Sequence, residues 1–319
     1  MPQRHVLMSS MKDEGPFVLE FIAHHRVLGF DGIYIATNDC NDGTDLLLDV
    51  LAGHGIITHV RNLLGPGEMP QHRGYLRIRR RHDIQSADWI MVLDADEFLV
   101  VDRGNHRVSD LTELAGPEVH LITLNAMNFG TSSDMLWKPG RVTTQFIKRL
   151  AVNNRLNGPV KSLSRGHGLW RSMHNHHPVG FGGEGDICHM RGNGQTGRVP
   201  DDDKLWRHLR FFKPDQMTHE IAWFNHYPIK SIDSYMLRQM RGRGVTRVGE
   251  EPVIRHDEDY WIKFAGAREV DTRIQDFYGS ETEAEMNRLL ALPDVAEAQA
   301  HVEALYAVQI AAITDDLEL

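Results

Sequence analysis

Apolar positions along the first hundred residues alternate between two periods. His5–Met8 is a short apolar run of the kind a buried strand supplies, and Phe17, Val18, Phe21, Ile22 and Leu28 then recur at helical spacing. Pro16 suits a first helical position, Asp13 and Glu14 suit the positive end of the helix dipole, and Gly29 provides a stop. Gly32–Ala36 predicts a second strand, Thr44–Ala52 a second helix and Ile56–Val60 a third strand. Residues 71–86 predict a basic helix, whose Arg80 and Arg81 suit a solvated face. Trp89–Leu93 is a continuous apolar run, as a strand buried on both faces requires. Strands and helices in this alternation predict an α/β fold with a largely parallel sheet.

Beyond about residue 104 the pattern is less regular. His120–Leu124 and Thr143–Lys148 predict further strands, whereas residues 153–200, rich in Gly, Asn and His, read as a long loop region with a binding or lid role. Helices resume around Asp202–Phe212 and after Ser231. Ser280-Glu281-Thr282-Glu283 reads as a capping box, and Pro293-Asp294 opens a terminal helix through about Ile313. That helix carries Val302, Leu305, Tyr306, Val308, Ile310 and Ile313. Burial on its own domain is the usual fate of such a stripe, and pairing with a second copy is the alternative. The expected division is a catalytic part over residues 1–230 and a helical extension over residues 231–319.

Composition narrows the class. In 319 residues, 41% are apolar and 25% charged, which fits a globular protein and excludes wholesale disorder. A formal net charge of −9 lacks the electrostatic footprint of a nucleic-acid-binding chain. Cys40 and Cys188 make neither a disulfide framework nor a four-thiolate metal site. No apolar run is long enough for a secretory signal or a membrane span. A cytoplasmic location is expected, with any membrane association peripheral to the inner face.

The strongest chemical signal is Asp94-Ala95-Asp96 at the end of the apolar run. Ligands of open α/β sheets bind beyond the carboxyl ends of strands, and period-two geometry would point both carboxylates one way. Their repulsion would be relieved by Mn²⁺ or Mg²⁺, which retain positions for phosphate oxygens. Lys12-Asp13-Glu14, Glu20 through Gly29, Asn38 through Thr44 and Trp89 through Phe98 together resemble the glycosyltransferase family 2-like proteins. The similarity lies with the branch whose metal motif continues as Asp-Glu-Phe, and extends to the family with domain of unknown function twenty-three, which includes β-galactan synthases. It continues more loosely through Asn128–Ser133, Val160-Lys161-Ser162 and Asn225–Ser231, and departs from the family at Asp13, where Asn is usual.

This resemblance implies a GT-A nucleotide-sugar transferase fold, a mixed, Rossmann-like sheet flanked by helices. It also implies a metal-dependent, inverting glycosyltransferase. A nucleotide-diphosphate sugar, UDP-linked by preference, would donate to a glycan or other hydroxyl acceptor, as in surface polysaccharide synthesis. Lys12, Glu14, Asn38 and Asp39 would border the nucleotide, Asp94 the ribose and the metal-bound diphosphate, and Lys230 the leaving charge. Asp94, Asp96 and His226 would hold the metal, with Glu97 in support. Glu184, in a Gly-rich loop, and Asp134 are the candidate bases. Three rival readings are a haloacid dehalogenase-type phosphatase, which the strand position of the Asp pair fits poorly, a zinc site or zinc hydrolase, and a non-catalytic sugar-nucleotide or glycan-binding module. The zinc reading draws on His167, His174, His176, His177, Cys188 and His189.

Overall fold

The computed structural model describes residues 2–131, 136–241, 246–250 and 258–316. The strands are β1 His5–Met11, β2 Gly32–Thr37, β3 Thr58–Arg61, β4 Trp89–Val92, β5 Glu97–Val101, β6 Leu121–Asn128, β7 Lys148–Arg149, β8 Val160–Arg165, β9 Trp170–Ser172, β10 Val179–Phe181, β11 Ile187–Arg191, β12 Thr196–Val199, β13 Ala222–His226 and β14 Glu269–Val270. The helices are α1 Gly15–Val27, α2 Thr44–Gly53, α3 Pro70–Arg81, α4 Val108–Thr112, α5 Val142–Gln145, α6 Leu205–Leu209, α7 Ile232–Arg241, α8 Glu258–Ala265, α9 Arg273–Leu290 and α10 Val295–Asp316.

The result is a mixed α/β architecture around a ten-stranded sheet. β1 runs parallel to β2 on one side and to β4 on the other, and β3 extends the β2 side. The strand order therefore reverses beside β1, which opens a crevice at the carboxyl ends of β1 and β4. β8 lies antiparallel between β4 and β6, β11 joins β6 in parallel, and β12 closes that edge. The far half of β6 pairs with β13, which pairs in turn with β5.

Four predicted features came out differently. Thr143–Lys148 is a turn of helix and the two-residue β7, because the buried Glu20 carboxylate accepts from Val142 N at 2.6 Å and Thr143 Oγ1 at 2.6 Å and so caps that turn. Residues 153–200 contain five strands rather than a loop. In β8 the polar residues that break the apolar pattern are themselves buried and partnered, Ser162 on the His176 carbonyl and Lys161 on two carboxylates. Ser280 lies inside α9, whose start is held by Asp271 Oδ1 accepting from Arg273 N at 3.1 Å. The helix expected over Asp202–Phe212 is confined to α6.

α1 is buried from Gly15 to His25, so its polar residues need partners within the protein. His24 Nε2 bonds the Leu99 carbonyl at 2.8 Å and His25 Nδ1 the Phe21 carbonyl at 2.8 Å. The C-terminal helices complete this same core. Tyr278 of α9 donates to the Val101 carbonyl, Tyr306 of α10 meets Phe17 edge-on at 5.6 Å, and Val302, Tyr306 and Ile313 are buried. A Cβ at Gly15 would stand 2.9 Å from Val302 Cβ, so α10 rests directly on the start of α1.

Burial lowers the His24 pKa to about 4, ahead of the opposing effect of its bond to Leu99. A neutral buried His contributes stability that is complete above the unfolded value near 6.5 and lost as pH falls toward the folded value. His24→Gln keeps the donor without the titration. Between about pH 7 and pH 4 wild type should lose about 3 kcal/mol more unfolding free energy than this variant in urea denaturation. Parallel pH profiles would contradict the assignment.

Candidate active site

Each parallel strand delivers a polar loop to the same edge. β1 leads into Lys12-Asp13-Glu14, β2 into Asn38-Asp39, β4 into Asp94-Ala95-Asp96, and β13 into the segment from Tyr227 to Lys230. Asp42 fixes the second loop by accepting from Gly15 N at 2.8 Å and Thr44 N at 2.9 Å. Asp13, Asp39 and Lys230 all have φ near +50° (50°, 48° and 52°), a region that non-glycine residues occupy mainly where surrounding structure enforces it.

The two carboxylates of the Asp pair have separate partners. β4 ends at Val92, and Glu97 N donates to the Asp94 carbonyl at 3.0 Å, so Asp94–Glu97 is a turn to which the period-two rule does not apply. Asp94 accepts from Gln71 Nε2 at 2.9 Å and Lys161 Nζ at 2.9 Å; Lys161, 1% exposed, also binds Glu97 at 2.7 Å. Asp96 binds Arg238 at 2.5 Å and faces His226 Nε2 at 3.6 Å. Burial alone would raise the Asp96 pKa, but Arg238 and then His226 outweigh it and hold the carboxyl well below the usual range. Burial pushes Glu97 up despite Lys161. The repulsion assigned from sequence to a metal is thus met by lysine and arginine side chains of the chain itself.

His226 is oriented by Asn128. The Asn128 amide nitrogen donates to Leu156 O at 2.7 Å and Asn157 Oδ1 at 3.0 Å, leaving its oxygen to accept from His226 Nδ1 at 2.7 Å. That leaves Nε2 to face Asp96. It stands 3.6 Å from the carboxylate oxygen, beyond a hydrogen bond. Carboxylate and imidazole each sit about 2.1 Å from a bound first-row divalent ion, so two ligand atoms this far apart fit a shared one. Asp94 does not join them in a group of three. Among the described residues, Asp13, Cys40 and Asp42 alone bring three candidate ligand atoms within 4.8 Å. There Asp42 is committed to the loop, and burial raises the Cys40 thiol to about 12, so it stays protonated.

Lys12, Glu14 and Lys230 line a cavity of about 390 Å³ together with Arg238 and Arg241 of α7. Arg241 binds Glu14 Oε1 at 2.6 Å and the carbonyls of Lys12 and Asp13. Asn38 and Asp39 lie outside it at the end of β2, joined by a 3.1 Å hydrogen bond. Glu184 is exposed in the loop entering β11. His189 of that strand pairs with Leu121 at the start of β6, so Glu184 is at the opposite edge of the sheet from Asp96 and cannot act as its base. Asp134 lies outside the described residues. The proposed zinc cluster is dispersed: His167 bonds Asp88, His174 meets His72 in a tilted ring contact, His177 bonds Pro178 O, and His189 bonds Thr123. Arg238, Arg241, Lys161 and Gln71 went unassigned in the sequence. The i,i+3 spacing of the two arginines, directly behind Ser231, is the signal that would have placed both on one helix face.

No protein-family model matches the chain. Over 169 residues it is 24% identical to a glycosyltransferase family 92 protein of Oryza sativa subsp. japonica, a match that covers 52% of this chain and 28% of the relative. The chain thus spans little more than a quarter of the length of the curated relative it matches. Among solved structures, TarS of S. aureus is similar at a TM-score of 0.29 and 7% identity, over 48% of this chain and 26% of that one. Glucosyl-3-phosphoglycerate synthase from Mycobacterium tuberculosis, solved with Mg²⁺ and uridine-diphosphate, is similar at 0.27 and 14% identity, over 40% and 44%. Both are loose likenesses of chain trace. No helix among the described residues is long and apolar enough to cross a membrane.

Removing one member of a buried ion pair strands the other, whereas replacing both with apolar groups is close to neutral. Asp96→Leu should therefore cost about 3–5 kcal/mol of unfolding free energy, and Asp96→Leu with Arg238→Met should recover most of it. Additive losses in urea denaturation would show that the pair is not coupled.

Proposed function

We propose that this protein is a metal-assisted glycosyltransferase, moving a sugar from a nucleotide-diphosphate sugar, UDP-linked by preference, to a hydroxyl acceptor with inversion. The observation that carries this reading is His226 Nε2 standing 3.6 Å from the Asp96 carboxylate, with Nδ1 held by Asn128, beside the crevice where the strand order reverses. The sequence likeness to a glycosyltransferase family 92 protein supports the same class. The strand order, with β4 beyond β1 and an antiparallel β8 beside it, suits a GT-A arrangement.

In this reading Asp96 and His226 hold Mn²⁺ or Mg²⁺, which supplies charge neutralisation at the diphosphate. Asn128 fixes the imidazole, and the turn Asp94–Glu97 fixes the carboxylate. Lys12, Asn38 and Asp39 border the nucleoside at the ends of β1 and β2. Asp94, 29% exposed at its side chain and neutralised from behind by Lys161, presents a carboxylate to the ribose. Arg238 both binds Asp96 and lines the adjoining cavity, so it can follow the charge that develops on a departing diphosphate. Asp134 is kept as the candidate base on the sequence resemblance alone.

A panel of nucleotide sugars with Mn²⁺ tests the proposal by thermal denaturation. A donor at about 100 times its dissociation constant should add about 2.7 kcal/mol of stability. Asp96→Ala and His226→Ala should each abolish the metal-dependent part. Equal stabilisation in the presence of a chelator would overturn the metal assignment, and no response to any nucleotide sugar would overturn the function.

A further inference from the structure

Lys230 is a nearly buried cation that faces the cavity with its hydrogen-bonding capacity free. Its side chain is 7% exposed, and Nζ donates no hydrogen bond among the described residues; it stands 4.0 Å from Glu14 Oε2, a long ion pair, and 4.5 Å over the Phe17 ring. An ammonium group carries three donors, and leaving them unpaired away from water costs free energy. The backbone adds to the cost, since Lys230 holds φ at 52°. Burial lowers its pKa, ahead of the opposing effects of Glu14 and Asp96.

The ammonium lies on the wall of the 390 Å³ cavity between the start of α1, the Lys230 loop, α7 and α10. Lys12, Arg238 and Arg241 bring three more cations to that wall, against Asp13 and Glu14. Both acids are already engaged, Glu14 Oε1 with Arg241 at 2.6 Å and Asp13 Oδ1 with Asn41 N at 2.8 Å. Asp96 neutralises Arg238 from outside the wall. The cavity is therefore electropositive, with Phe17, Tyr306 and Leu237 supplying apolar walls that strengthen any ion contact inside. Its volume falls within the range of small-molecule sites.

We propose that this cavity binds a phosphate-type oxyanion carried by a small ligand, with Lys230 Nζ as its central donor and Arg241 and Arg238 at its sides. The inference deepens the proposed function and rests on it in part, since Lys12 and Glu14 line this cavity while Asn38, Asp39 and Asp94 do not. Two sources carry this chemistry: a phosphorylated hydroxyl compound occupying the cavity as acceptor, or the diphosphate of a donor reaching into it from the crevice.

Calorimetric titration of the full chain with glycerol 3-phosphate and with UDP, both at millimolar concentration and without metal, tests the site. Saturable one-to-one binding of glycerol 3-phosphate, not shared by glycerol, is expected. If saturating UDP leaves that binding intact, the oxyanion belongs to the acceptor; if UDP displaces it, the oxyanion is the donor's diphosphate. Lys230→Met should weaken binding by about tenfold or more with the thermal midpoint of the free protein little changed, because Nζ donates no hydrogen bond and its ion pair with Glu14 is long. Lys230→Arg should retain most of the affinity. Absence of anion binding in wild type, or undiminished binding by Lys230→Met, would overturn the proposal. Loss of the nucleotide-sugar response alone would overturn the donor reading and leave this one standing.

Discussion

Carboxylates buried at the carboxyl edge of the sheet must be neutralised, and the chain does this with cations brought from far along its length. Lys161 of β8 serves Asp94 and Glu97, Arg238 of α7 serves Asp96, and Arg241 serves Glu14. Ions taken out of water are tolerable only when so paired, and breaking one pair costs more than never having formed it. That requirement makes the helical last third a structural part of the site. α7 supplies the arginines, and α10 supplies the wall formed by Tyr306 and Ile313.

The scaffold gives these charges fixed positions. α1 is enclosed by sheet and helices, and its buried Glu20, His24 and His25 each bond backbone groups of other segments or of the helix itself. Register does the rest: His226 pairs with Glu97 on β5 and with Asn128 on β6, so the Asp96 turn, the imidazole and its orienting amide meet at one point. A one-residue slip in β13 would turn His226 to the other face and dismantle the arrangement.

Much of this was legible in the residues. The apolar runs of β1, β2 and β4 and the helical spacing of α1 to α3 mark buried elements whose pattern the packing does not override. The gathering of Lys12, Glu14, Asp96, His226 and Lys230 at one sheet edge follows from strands ending there. β8 was hidden because Lys161, Ser162 and Ser164 look solvated, and only the fold shows the partners that let a lysine be 1% exposed. The division of Asp94 from Asp96 was hidden for a related reason. Two carboxylates one residue apart share a face on a strand but not on a turn, and the turn depends on Glu97 N reaching back to Asp94 O. The Ser280 motif failed in the opposite sense, since a local capping signal was overridden by the packing of α9 against α1, with Tyr278 bonding both backbone groups of Val101.

In the proposed reading, Asp96 and His226, 3.6 Å apart, share a divalent ion. Electron spin echo envelope modulation of Mn²⁺ added with UDP reads the ligands of the bound ion directly. Modulation from a single imidazole nitrogen is expected, and it should disappear in His226→Ala. Manganese that binds without nitrogen modulation, or with modulation that survives this substitution, would contradict it.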